Sequence, residues 1–198
     1  MIFLGYLTYD YKSKECYIPN KEIIEVFDDI ISANDDYRFL NRMINDSRTL
    51  FEKTVNLNAK YVADNFQIVH RHFSDFKFYN NEGAFQSFIS IAYYYPIKDY
   101  SVKYEYKYGE GYADAVFIPR KECKLSKETE RPPMVIELKY GKESYIDPKE
   151  AIKQIKEKEY FDEMKEEGFK TIILVGLTYC KNDKDVYQHY CEIEKYEI

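Results

Sequence analysis

A chain of 198 residues with 45% apolar and 32% charged residues can bury a sizeable core, which excludes an intrinsically disordered protein. Its net charge of −6 argues against passive coating of DNA, because phosphate affinity comes from clustered Lys and Arg. An acidic protein that meets phosphate through metal-neutralised carboxylates, within a locally basic rim, stays open.

The opening FLGYLTYDYKSKECYIPN reads as a hairpin, with apolar and aromatic runs on either side of the polar turn at Lys12 to Lys14. Pro19-Asn20 breaks it, and Asn20 can cap a helix through KEIIEVFDDII, where Ile23, Ile24, Phe27, Ile30 and Ile31 recur at helical spacing. Two more helical patterns run from about Tyr37 to Lys53 and from about Asn58 to His72. Residues 1–78 are therefore expected to form an N-terminal hairpin and helical linker region, and residues 79–198 a second domain. His70 and His72 flank Arg71 near a helix end, a place for a solvated face more than for a phosphate contact.

Beyond Asn81 the pattern changes. EGAFQSFISIAYYY is a helix with Phe85, Phe88, Ile89 and Ala92 in one stripe. Strand-like runs SVKYEYKY, YADAVFI and MVIELK follow, separated by Gly109 to Gly111 and by the polar loop from Arg120 to Pro133. Asp147-Pro148 opens a helix, an N-cap followed by proline at the first helical position, which runs to about Glu167 and stops at Gly168. TIILVGLTY is apolar enough for a buried strand. Asn182-Asp183 turns the chain into a last strand from about Gln188 to Tyr196, in which His189 is an ordinary strand residue. Helix, three strands, helix, strand is an α/β layout, and the helix between MVIELK and TIILVGLTY implies a parallel crossover.

Cys16, Cys123, Cys180 and Cys191 include no CxxC pair, and only three histidines are present, which argues against zinc and for reduced thiols. No apolar run reaches the ~20 residues of a membrane span. The expectation is a cytoplasmic protein with no membrane association.

Phosphodiester hydrolysis needs oxygen ligands for a hard cation and a positive group near the attacking water. An acid-x-Lys unit on a strand can supply both on one face. Four Glu-x-Lys units occur, at Glu105, Glu122, Glu137 and Glu163, so the tripeptide alone decides nothing. Glu105 lies in an alternating strand, Glu122 in a polar loop and Glu163 on a charged helix. Glu137 and Lys139 instead sit inside MVIELK, sharing a face with Val135, where charges are costly unless paired or bound. A structural Glu-Lys pair on an edge strand is the competing reading. Asp114, in GYADAVFIP, is a second carboxylate whose weight derives from Glu137; alone it reads as a strand-end acid.

The string from Gly111 to Asp114, VIELK (Val135 to Lys139), AIKQIKEKEY (Ala151 to Tyr160) and IILVGLTY resembles the PD-(D/E)XK nuclease superfamily. It also resembles the nuclease-like domain at the C-terminus of AAA-ATPase-like bacterial and archaeal proteins. FLGYLTYD and IPNKEIIEVF also resemble the linker before that domain. The resemblance implies an α/β restriction-endonuclease-like core preceded by an α-helical region, and a metal-dependent nuclease acting most simply on DNA. It implies Asp114 and Glu137 as ligands of Mg²⁺ or Mn²⁺, Lys139 as the catalytic lysine, Glu82 as an acid on the first core helix that could join the metal, and Gln154 and Lys158 as polar members of the catalytic set. Each of the last three also has an ordinary reading: Glu82 as an acid at a helix N-terminus, Gln154 and Lys158 as an exposed i,i+4 pair. No GxxxxGK[ST] phosphate loop occurs in the chain, so ATP-driven activity is not supported, and the expectation is either a fragment of a longer ATPase-like protein or a free-standing form, with an ATPase domain or partner possible. An RNA-directed nuclease and a non-cleaving scaffold of the same fold remain as alternatives, and the oligomeric state, a homo-oligomer included, is left open.

Overall fold

The structure is a computed structural model that describes residues 7–11, 15–18, 20–26, 35–73, 89–108, 111–120, 131–141, 144–157, 161–181 and 187–198. The chain divides into two compact units, Met1–Asn45 and Asp46–Ile198. In the first, β1 (Thr8–Asp10) and β2 (Glu15–Tyr17) pair antiparallel, with Tyr9 opposite Cys16. Residues 21–26 are helical, and the Asn20 carboxamide oxygen accepts the Ile23 N–H at 3.0 Å, satisfying one of the donors that a helix start leaves open.

The second unit holds the end of α1 (Asp35–Val55), α2 (Ala59–Phe73) and a five-stranded sheet. Between the helices the chain closes on Leu57 at φ 59°. The Asn58 N–H reaches the Lys53 carbonyl at 2.9 Å, and the Leu57 N–H reaches that of Thr54 at 3.0 Å. This pair of bonds caps the carbonyls of a helix C-terminus, but it places leucine where glycine is the usual choice. The Asn58 side chain then accepts the Tyr61 N–H at 3.1 Å and starts α2.

The sheet runs in the order β3 (Tyr100–Tyr108), β4 (Gly111–Pro119), β5 (Met134–Gly141), β6 (Thr171–Lys181), β7 (Tyr187–Glu197). All neighbours are antiparallel except β5 and β6, which pair in parallel, the relation that an intervening crossover helix imposes. That crossover contains α3 (Pro148–Glu157) and α4 (Asp162–Glu166). The Asp147 carboxylate accepts the Lys149 N–H at 3.0 Å as α3 begins. At the end of α4, Gly168 takes φ 90° while Phe169 and Gly168 return hydrogen bonds to Met164 and Lys165. The result is a mixed α/β architecture compatible with a restriction-endonuclease-like fold.

Alternation along the strands separates two faces. One packs Val116, Ile118, Val135, Ile172 and Leu174 against Ile152, Ile155, Phe161 and Met164 of the crossover. The other meets α2 and the end of α1. There Tyr93 stacks edge-on against Phe117, and Phe51 against Tyr100. His70 lies on this second face and is 1% exposed, which corrects the expectation of a solvated histidine. It sits on the stripe of α2 that also buries Val62, Phe66 and Val69, so helical phase outweighed its polarity. His189 is more than an ordinary strand residue: its Nε2 lies 3.0 Å from His70 Nδ1, and Gln67 accepts its backbone N–H at 3.0 Å while donating to the Tyr187 carbonyl at 2.6 Å.

The helix expected at EGAFQSFISIAYYY is described only from residue 89, where residues 89–92 are helical; Phe85 and Phe88 lie outside the described residues. Among those described, Cys16, Cys180 and Cys191 are free thiols, and no helix is long and apolar enough to cross a membrane.

Candidate active site

On the crossover face the three central strands change character toward the same end of the sheet. Along β4 the side chains on this face go from Ile118 through Val116 to Asp114; along β5 from Val135 to Glu137 and Lys139; along β6 from Leu174 to Gly176 and Thr178. The apolar core therefore gives way to carboxylate, ammonium and hydroxyl in one place, and Glu137 stands at that border with 5% exposure.

The ladder between β4 and β5 bridges Phe117 to Met134, Val116 to Val135 and Ala115 to Ile136. One step further the same register sets Asp114 against Glu137. There a side chain takes over from the backbone: Asp114 Oδ2 accepts the Leu138 N–H at 2.6 Å. A carboxylate held by a main-chain donor has a fixed direction, and the bond places it beside the Glu137–Leu138 peptide.

Gln154 joins the other two groups. Its Nε2 donates to Glu137 Oε1, and its Oε1 accepts from Lys139 Nζ. The amide thus presents its donor to the carboxylate and its acceptor to the ammonium, which settles its orientation. Glu137 and Lys139, two apart on β5, share a face, and α3 drops one amide between them.

Asp114, Glu137, Lys139 and Gln154 are therefore brought together from β4, β5 and α3. Glu82 and Lys158 lie outside the described residues. The donors present suit an oxygen-seeking cation such as Mg²⁺ or Mn²⁺: two carboxylates from neighbouring strands, with Glu137 Oε2 buried and accepting no hydrogen bond from the described residues. They make only part of a coordination shell, since no group of three or more His, Cys, Asp or Glu gathers among the described residues.

Sequence reasoning missed Gly176. It pairs with Glu137 in the parallel ladder and lies directly under α3. A methyl group at Gly176 would overlap the Pro148 carbonyl oxygen and stand 3.2 Å from both Ala151 Cβ and Ile152 Cγ1. Its signal was a lone glycine inside an otherwise apolar strand, which often marks a close approach. Thr178, 1% exposed, was also missed; it donates to the Ile146 carbonyl at 2.8 Å, just ahead of α3.

Two acids and a lysine thus converge at the border of a mixed sheet's core. Residues 80–189 match the family described as the PD-(D/E)XK nuclease superfamily. The chain belongs to that superfamily. A search of curated proteins finds no match.

Proposed function

We propose that the protein is a metal-dependent nuclease that hydrolyses phosphodiester bonds, with DNA as its substrate and Mg²⁺ or Mn²⁺ as its cofactor. The observation that carries this reading is the Gln154 bridge between Glu137 and Lys139 beside the main-chain-anchored Asp114. Asp114 and Glu137 would hold the cation, and Glu82 is proposed as a further acid. When bound, the cation supplies Lewis-acid charge for attack of water on phosphorus. Lys139 orients that water and stabilises negative charge as it builds on the phosphate oxygens. Gln154 keeps the ammonium and the carboxylate at a fixed separation, so neither has to be ordered when substrate arrives. Lys158 is proposed as a further cation toward the backbone. An ATPase domain or partner, which the resemblance of the sequence suggests, would supply any energy-driven step.

A second reading is favoured by the net charge of −6: a nuclease fold kept as a binding or scaffolding module. Lys139→Ala separates the two when assayed on plasmid, linear and single-stranded DNA and on RNA with Mn²⁺. The nuclease reading expects a folded variant that keeps most nucleic-acid affinity and loses roughly 10² to 10³ in cleavage rate. A parent that cuts none of these substrates, together with a Lys139→Ala protein that merely melts earlier, would establish the scaffold. Cleavage confined to RNA would reassign the substrate.

A further inference from the structure

The bridge at Gln154 works only if α3 lies at one height above the sheet, and the molecule contains a device that sets this height. The start of α3 is fixed to β6 twice. Thr178 Oγ1 binds the Ile146 carbonyl at 2.8 Å, and one residue pair along the strand Gly176 leaves no side chain between the strand and the Pro148 carbonyl. Ala151, fully buried, fills the next position, with its Cβ 3.2 Å from where a Gly176 Cβ would be. Gln154 follows Ala151 by three residues, so it lies on the same side of the helix one turn later. Gly176 is also the ladder partner of Glu137. A close approach of helix to sheet therefore occurs beside the carboxylate that Gln154 must reach.

We infer that Gly176 is a positioning residue: its missing side chain sets the height of α3 at which Gln154 spans Glu137 and Lys139. This rests on the nuclease reading for its consequence in catalysis, but not for its consequence in geometry. Any larger residue at 176 must lift the first turn of α3, because the obstacle is a backbone carbonyl and not the end of a flexible side chain. A lift on the order of 1 Å exceeds what two directional hydrogen bonds to one amide can follow. The apolar contacts of Ile152 and Ile155 adapt to such a shift more easily than the bridge does, since dispersion contacts carry little directionality.

The test reads the Gln154 side-chain amide by NMR in the full chain, with and without Gly176→Ala. In the parent its N–H₂ resonances should be displaced and protected by the bond to Glu137. In Gly176→Ala they should move to the position of a solvated glutamine although the protein remains folded. Cleavage should fall by about 10²-fold in Gly176→Ala. In a Gln154→Ala background, adding Gly176→Ala should change the rate by no more than about twofold, because the two act through one bridge. An unmoved Gln154 amide in folded Gly176→Ala, or losses that multiply in the double variant, would overturn the inference. If the parent cuts nothing, the nuclease reading fails and the amide resonances alone decide about Gly176. Should Gly176→Ala not fold, Ala151→Ser wedges the same contact from the helix side, and the same amide signal supports or refutes the inference.

Discussion

Lowering the pH from 6.5 to 5 should weaken the hold of α2 on β7. His70 Nδ1 and His189 Nε2 are 3.0 Å apart, and neutral rings satisfy that contact, one donating and one accepting. Burial holds His70 down to about 4. His189 is held down to about 3, by burial first and by the neighbouring His70 second. Unfolded, both rings titrate near 6.5. Their folded values are depressed, so below pH 6.5 the unfolded chain binds the extra protons. The stabilising contribution is thus complete above that pH and drains as the pH falls toward the folded values. Each ring changes stability by up to ~1.4 kcal/mol per pH unit, which integrates to about 3 kcal/mol for the two between pH 6.5 and 5. Urea unfolding at half-unit steps from pH 7.5 to 5 measures it. His189→Gln removes one titrating ring and should roughly halve the slope. A parent whose stability is as flat as the variant's over that interval would refute the argument.

Mg²⁺ or Mn²⁺ in large excess should raise the melting temperature, since a cation relieves repulsion between Asp114 and Glu137; Glu137→Gln should abolish the rise, read by differential scanning fluorimetry. Leu57→Gly should stabilise the protein by about 0.5–1 kcal/mol, because it removes the strain of leucine at φ 59° at a lesser cost in backbone entropy; a lower melting temperature would contradict that. Arg131→Ala removes an ion-pair partner of Asp99, whose side chain is 8% exposed, and should lower stability by more than the loss of an exposed pair, read by chemical denaturation. Lys156→Ala breaks a pair with Glu194 that is 33% and 41% exposed and should cost no more than ~1 kcal/mol.

Much of the sheet was legible because its strands carry strong local patterns. MVIELK and TIILVGLTY announce themselves by apolar runs, and Asp147-Pro148 marks the start of α3 within a residue. The pairing of Glu137 and Lys139 on one face followed from the period of a strand alone. Gln154 was visible only through the family resemblance; which partners it takes depends on how far α3 lies from the sheet, and nothing local encodes that. The distance is set by Gly176, a residue that acts through the atoms it lacks. The histidine pair was hidden for another reason: His70 and His189 are 119 residues apart, and helical phase could bury the first without naming its partner. Leu57 shows the limit of turn chemistry, since the chain adopts a glycine conformation there without a glycine.

The outermost strands have a consequence for self-association. β3 and β7 are the edges of the described sheet, and an exposed edge invites a further strand from another molecule. Along β3 the bridged pairs skip from Tyr104–Ala115 to Tyr106–Ala113, because Glu105 between them sits at φ 44°. A docking strand would find its row of donors and acceptors out of line at that point. β7 carries Glu192, Glu194, Lys195 and Glu197 within six residues, so a second copy laid alongside would bring like charges together. Both features work against the edge-to-edge pairing from which fibrils grow.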